Sequence, residues 1–265
     1  MKTFQEYHDS SADFVRDGYV VYRGVFDRRD VNECYTFVHE RFRNWRYGNK
    51  NADPHLISIE LMDKLQHREA FRNIVESRQA IAVMRRFLGP DICIFNYDAL
   101  WINVPKDRNP VLLKGQHTDA WTGTSVNTIF AKVVLTDCDQ YNGISVCPGS
   151  HLQGMLPVRN RKLHGAKFKS VNLSNIKAGD WLLWHPLLVH ATVGHSAKAT
   201  RISITSRYTS TESAFSSQER ALGYRTLSVG PLNQILRLVG NDYLTPLRTY
   251  GGTVGIDKRL AALYK

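Results

Sequence analysis

Apolar positions along the 265-residue chain change period partway, from a helical spacing to short runs set between turns. From Asp30 to Trp45 the residues Val31, Cys34, Phe37, Val38 and Phe42 recur every three or four positions, which predicts an amphipathic helix. Before it, Phe14 to Tyr22 reads as a short helix end running into a strand. A second helical zone is predicted from Asp63 to Leu88, closed by Gly89-Pro90. Between Ile92 and Tyr208 short apolar segments alternate with turn residues, giving about eight strands. Helices packed against a mainly β core predict a double-stranded β-helix, the jelly-roll or cupin-like arrangement. No internal repeat or low-complexity linker divides the chain. The expected organisation is therefore one unit: helical support over 1–90, core over 91–210 and a helical extension over 211–265. Within that extension Pro231–Val239 and Lys258–Tyr264 are helix candidates, joined through Gly251-Gly252. A buttress for the barrel, a lid and a dimer contact all fit such a tail.

Composition narrows the class. No apolar run is long enough to span a bilayer, and the N-terminal stretch (Lys2, Gln5, Glu6) lacks a signal-peptide core. Cys34, Cys93, Cys138 and Cys147 form no Cys-x-x-Cys pair and read as buried thiols of a cytoplasmic protein. The net charge of +11 permits nucleic-acid binding, but no helix-turn-helix, zinc finger or aromatic-basic platform accompanies it. Charge is also uneven. Between Gln140 and Gly179 there is no acidic residue, whereas Arg159, Arg161, Lys162, Lys167, Lys169 and Lys177 are present. A basic rim of this kind would attract an anionic substrate. A solvated basic loop accounts for the same residues.

Two His-x-Asp/Glu triplets occur, where roughly one is expected by chance at these frequencies. His67-Arg68-Glu69 continues a helical pattern, in which positions i and i+2 do not share a face, so a solvated helix surface is expected. His117-Thr118-Asp119 lies in β-rich surroundings, where i and i+2 point to the same side and both side chains can reach one metal. His190 stands in an apolar strand-like run, and Arg201 follows eleven positions later. Two histidines and a carboxylate can occupy one face of Fe(II), leaving the opposite positions open. An arginine on the next strand suits a two-pronged contact with a carboxylate. The rival histidines His185 and His195 differ from His190 in strand parity, and His151 belongs to a turn.

Further elements appear in order: Asn142-Gly143, then Pro148-Gly149-Ser150-His151, then Gly179-Asp180 before an apolar strand, then His190 and Arg201. Together with His117-Thr118-Asp119 they resemble the phytanoyl-CoA hydroxylase (PhyH)-like family of Fe(II)/2-oxoglutarate oxygenases, over about Asp13 to Thr209. The resemblance implies His117, Asp119 and His190 as iron ligands. It implies Arg201 as the grip on the far carboxylate of 2-oxoglutarate, with Ser203 adding a hydroxyl and Lys114 a polar group near the cosubstrate. Trp121, on the side of Asp119 by parity, is a candidate wall of the substrate pocket, as well as a candidate core residue. The implied activity is hydroxylation of an unactivated C–H bond in a small molecule. Fe(II), 2-oxoglutarate and O2 would be required, with release of succinate and CO2. Asp119 speaks against halogenation, because related halogenases carry a small residue there. Desaturation and ring formation would use the same ligands. A non-catalytic metal-binding jelly roll and a basic binding module are the competing classes. Oligomeric state and substrate are not legible.

Overall fold

The computed structural model describes residues 11–50, 52–96, 99–105, 115–120, 124–159, 162–163, 168–192, 200–213 and 223–238. Lys114, Trp121, His195, most of the Arg159–Lys169 segment and Lys258–Tyr264 lie outside these residues or, like Arg159 and Lys162, are described in backbone alone.

Helix α1 (Ser11–Asp17) passes through Gly18 into strand β1 (Tyr19–Tyr22), as the sequence predicts. Gly18 has φ +80°, and a Cβ there would stand 2.5 Å from the His151 ring nitrogen, so both backbone and packing require glycine. Helix α2 spans Arg28–Gly48; the Asp27 side chain accepts from Arg29 N at its start. Its buried face is Val31, Cys34, Phe37, Val38 and Phe42, the stripe read from the sequence. The second helical zone begins earlier than expected and divides into three helices, α3 (Pro54–Leu65), α4 (Glu69–Val75) and α5 (Arg78–Leu88). Local chemistry explains the early start and the break before α5. Asp53 caps α3 with Pro54 at its first position, and Ser77 caps α5 by accepting from Ala80 N. His67 therefore sits in the exposed turn between α3 and α4, apart from the exposed Glu69 at the head of α4.

Strands β2 (Ile92–Phe95), β3 (Ala99–Asn103), β4 (Thr128–Val134), β9 (Trp181–Trp184), β11 (Arg201–Ser210) and β12 (Tyr224–Ser228) join β1 in a seven-stranded sheet. Its order is β1-β9-β4-β11-β2-β12, with β3 beside the first half of β11. A second sheet holds β5 (Ile144–Val146), β8 (Val171–Leu173) and β10 (His190–Thr192) in the order β10-β5-β8. Two short strands, β6 (Val158–Arg159) and β7 (Lys162–Leu163), form a separate hairpin. All pairs are antiparallel, and the two sheets give the expected double-stranded β-helix. Helix α6 (Pro231–Leu238) follows β12, where the sequence places the first extension helix.

Strand β11 is buried on both faces, which its alternation explains. Ile202, Ile204 and Tyr208 point out against the apolar faces of α2 to α5, in one core with Ile129, Ala131, Val133, Trp181 and Leu183. The inward face meets a second core of Phe130, Val134, Ile144, Val146, Leu182 and Trp184, which spans the two sheets. Inward residues of β11 are Arg201, Ser203, Thr205 and Arg207. Four polar side chains in a row thus occupy the inner face of a buried strand. All four cysteines are buried and free. Among the described residues no helix is long and apolar enough to cross a membrane.

Candidate metal centre and its cavity

The three expected ligands come together through backbone pairing. His117 and His190 form an isolated antiparallel bridge, in which His117 N donates to His190 O at 3.0 Å and His190 N to His117 O at 2.9 Å. This differs from the strand expected around His117. A single bridge suffices, because it sets the two rings side by side with centroids 4.3 Å apart. Asp119 follows in a bend held by its own N–H, which donates to Pro186 O at 2.9 Å. One ligand atom from each of His117, Asp119 and His190 lies within 4.8 Å of the others. Asp119 Oδ1 stands 3.9 Å from His117 Nε2, and its Oδ2 stands 3.5 Å from His190 Nε2.

Backbone carbonyls orient both rings. His117 Nδ1 lies 2.8 Å from Gly115 O, and His190 Nδ1 lies 3.0 Å from Leu188 O. A carbonyl oxygen can only accept, so each Nδ1 carries the proton and each Nε2 presents a lone pair to the centre. The Pro-Gly-Ser-His turn supports the second histidine from behind: Ser150 Oγ accepts from Val189 N at 2.9 Å, and Cys147 N donates to Val189 O at 2.8 Å. Asp180 of the Gly-Asp pair is 3% exposed and accepts from Gly24 N and Lys177 N, each at 2.8 Å, and from Arg23 at 2.7 Å. It fixes the start of β9 and takes no part in the centre.

Trp184 was not legible as a site residue. Its Nε1–H donates to Asp119 Oδ2 at 2.9 Å, while its ring stacks on Phe130 at 5.3 Å and 23°. The indole thus holds the same Asp119 oxygen that faces His190 Nε2, and its ring lies 5.4 Å from the His190 ring. Rival histidines are elsewhere. His185 accepts from Leu187 N and packs against Phe14 and His151. Burial, helped by the neighbouring His151, pulls its pKa down to about 4. His151 Nε2 donates to Val15 O at 3.0 Å, the structural role expected for it.

The triad opens onto a cavity of about 490 Å³. Arg201 lines it from β11 and is 2% exposed. Its Nη1 donates to Asn142 O and, at 2.7 Å, to Gly143 O; its Nη2 donates to Asn103 Oδ1 at 2.9 Å. The Asn-Gly pair thus forms a carbonyl cradle for the guanidinium. Position 143 must be glycine for close packing on the next strand, since a Cβ there would meet Leu173 O at 3.0 Å and Asp139 O at 3.1 Å. Burial pulls the Arg201 pKa below its ordinary value. Its Nε and the hydroxyls of Ser203 and Thr205 are buried without a hydrogen-bond partner. A buried cation with three neutral acceptors, no carboxylate among the described residues and an orphaned N–H is a site made for an anion. Lys132 from β4, Trp101 from β3 and Met62 from α3 also line the cavity. A lone lysine in the run Thr-Ile-Phe-Ala-Lys-Val-Val was the available signal for Lys132.

The family model for phytanoyl-CoA dioxygenase (PhyH) matches residues 14–203. No curated protein sequence matches the chain. Among solved structures, the non-heme α-ketoglutarate-dependent epimerase SnoN from nogalamycin biosynthesis is similar, with 20% identity and a TM-score of 0.59 over 80% of this chain and 87% of that one. The non-heme monooxygenase ThoJ has 16% identity and a TM-score of 0.61, over 97% of this chain and 99% of that one. HygX from Streptomyces hygroscopicus, described with nickel and 2-oxoglutarate bound, has 14% identity and a TM-score of 0.54, over 77% and 87% of the two chains.

Proposed function

The chain belongs to the phytanoyl-CoA dioxygenase family, and on that footing we propose that it is an Fe(II)- and 2-oxoglutarate-dependent oxygenase that hydroxylates an unactivated C–H bond of a small molecule. The observation that carries the proposal is Arg201, a buried guanidinium with an orphaned Nε, in the same cavity as His117, Asp119 and His190. A metal-binding protein without an oxoacid has no use for a buried cation beside its metal. SnoN and HygX, whose descriptions name α-ketoglutarate or 2-oxoglutarate, share the fold.

In this reading His117 Nε2, His190 Nε2 and Asp119 would hold Fe(II). Arg201 Nε and Ser203 Oγ take the far carboxylate of 2-oxoglutarate, satisfying groups that are otherwise buried and unpaired. Bound there, the metal and oxoacid would supply oxidative decarboxylation to succinate and CO2 coupled to O2-dependent oxidation of a C–H bond. The chain's own part is positional. Gly115 O and Leu188 O fix the histidine tautomers, and Trp184 Nε1–H keeps Asp119 turned toward the metal. Asp119 occupies the place a halide would need, which favours oxygen insertion over halogenation. Phe130, Val146 and Leu182 keep the inner wall apolar and limit water.

The test is consumption of 2-oxoglutarate with matching succinate in the presence of Fe(II), O2 and candidate small molecules. Product mass separates the outcomes: hydroxylation adds one oxygen atom, desaturation or ring closure removes two hydrogens, and epimerisation changes neither. Oxoacid turnover that persists in Asp119→Ala would count against the assignment.

A further inference from the structure

We propose that Lys132 and Thr205 form a second anion site in the cavity, which anchors a carboxylate carried by the primary substrate. The inference rests on the oxygenase reading for what the cavity does.

Strand β4 is buried along its length except at Lys132, the one position of Thr128–Val134 that is partly open and its one charged residue. Lys132 lines the cavity, and its ammonium stands 5.6 Å from the centroid of Trp101 and 5.7 Å from that of Trp184. Two indole faces hold the charge in place through cation–π attraction. Trp184 touches Asp119, so the ammonium sits one side chain away from the triad. Directly across the ladder, Lys132 pairs in register with Thr205. The Thr205 hydroxyl is buried, faces the same cavity and has no hydrogen-bond partner. An ammonium and an orphaned hydroxyl side by side match the two oxygens of a carboxylate.

This site differs from the one at Arg201. Along β11, Thr205 is four residues beyond Arg201, roughly 13 Å of extended strand. An oxoacid held between the triad and Arg201 has both its carboxylates accounted for. Outside the triad and the histidines, the charged side chains lining the cavity among the described residues are Lys132, Arg201, Arg207 and Asp63, three positive against one negative. Apolar surface stands beside Lys132 in the Trp101 ring, and Ile59 and Met62 on α3 line the same cavity. The occupant these features fit is a carboxylate attached to a flat or extended apolar body.

The experiment compares 3-phenylpropionate with its neutral amide, 3-phenylpropionamide, by isothermal titration. Both the metal-free protein and the anaerobic protein loaded with Fe(II) and 2-oxoglutarate are used. The expected result is about tenfold preference for the acid in the parent, lost in Lys132→Met and partly kept in Lys132→Arg, the scale of one charge-assisted hydrogen bond. Thr205→Val should weaken the acid severalfold and leave the amide unchanged. Affinity for 2-oxoglutarate should stay within about twofold of the parent in Lys132→Met, since a screened charge at this separation contributes little. Equal binding of acid and amide by the parent, or no binding of either, overturns the proposal. So does a fall in 2-oxoglutarate affinity in Lys132→Met as large as that in Arg201→Ala, which would give Lys132 to the cosubstrate. Failure of the parent to bind 2-oxoglutarate at all would sink the oxygenase reading, while the metal-free titration still decides Lys132.

Discussion

Replacing Trp184 by phenylalanine isolates one contact that the metal centre depends on. The indole Nε1–H donates to Asp119 Oδ2 at 2.9 Å, and phenylalanine deletes that donor while keeping a ring to stack on Phe130. A hydrogen bond to a charged acceptor is worth about 1.5–3 kcal/mol, which corresponds to roughly ten- to hundredfold in affinity. Outer partners of metal ligands have effects of about that size. Trp184→Phe is therefore expected to weaken Fe(II) or Co(II) binding by roughly ten- to hundredfold, measured anaerobically in competition with a chromophoric chelator. The control is Phe130→Leu, on the other side of the same stack and without contact to Asp119. It should cost about 1 kcal/mol of stability in a denaturant titration and leave metal affinity near that of the parent. If Trp184→Phe bound metal within twofold of the parent while losing stability as Phe130→Leu does, the indole would be packing and nothing more.

Three further outcomes are expected. Alanine at His117, Asp119 or His190 should abolish tight metal binding by the same titration and leave the circular dichroism spectrum unchanged, because each side chain points into the cavity and away from the cores. Arg201→Ala should raise the 2-oxoglutarate requirement more than tenfold, and Arg201→Lys should rescue it only in part because a lysine lacks the planar fork. Arg201→Ala should also lower the denaturation midpoint, since the Asn142 and Gly143 carbonyls lose their donor. Protein stability should decline as pH falls from about 6.5 toward about 4. His185 is held neutral in the folded chain over that window, so protonation favours the unfolded state, and His185→Asn, which keeps an acceptor for Leu187 N, should flatten the decline.

The triad and Arg201 were legible because His117-Thr118-Asp119, Asn142-Gly143, Pro148-Gly149-Ser150-His151, Gly179-Asp180, His190 and Arg201 stand in an order that resembles the phytanoyl-CoA hydroxylase-like family, while parity favoured His190 over His185 and His195. Helix α2 was legible because a five-residue apolar stripe needs only its own period. What stayed hidden depends on pairing across the fold. Trp184 reads as another apolar strand residue until β9 is laid beside β4 and its Nε1–H reaches a carboxylate 65 positions earlier. Lys132 reads as a stray charge until β4 is registered against β11 and Thr205 falls opposite it. The early start of the second helical zone comes from capping by Asp53 and its later break from capping by Ser77, signals that compete with the helical period. His117 needed no strand at all, because one bridge to His190 aligns the pair.

The most direct measurement is the anaerobic addition of 2-oxoglutarate to the Fe(II)-loaded protein, followed in the visible spectrum. A chelated oxoacid on an iron held by two histidines and Asp119 gives a weak charge-transfer band. That band should appear and saturate in the parent, require far more oxoacid in Arg201→Ala, and be absent in His190→Ala. A parent protein that binds Fe(II) tightly at this centre yet shows no such band at saturating 2-oxoglutarate would contradict the assignment.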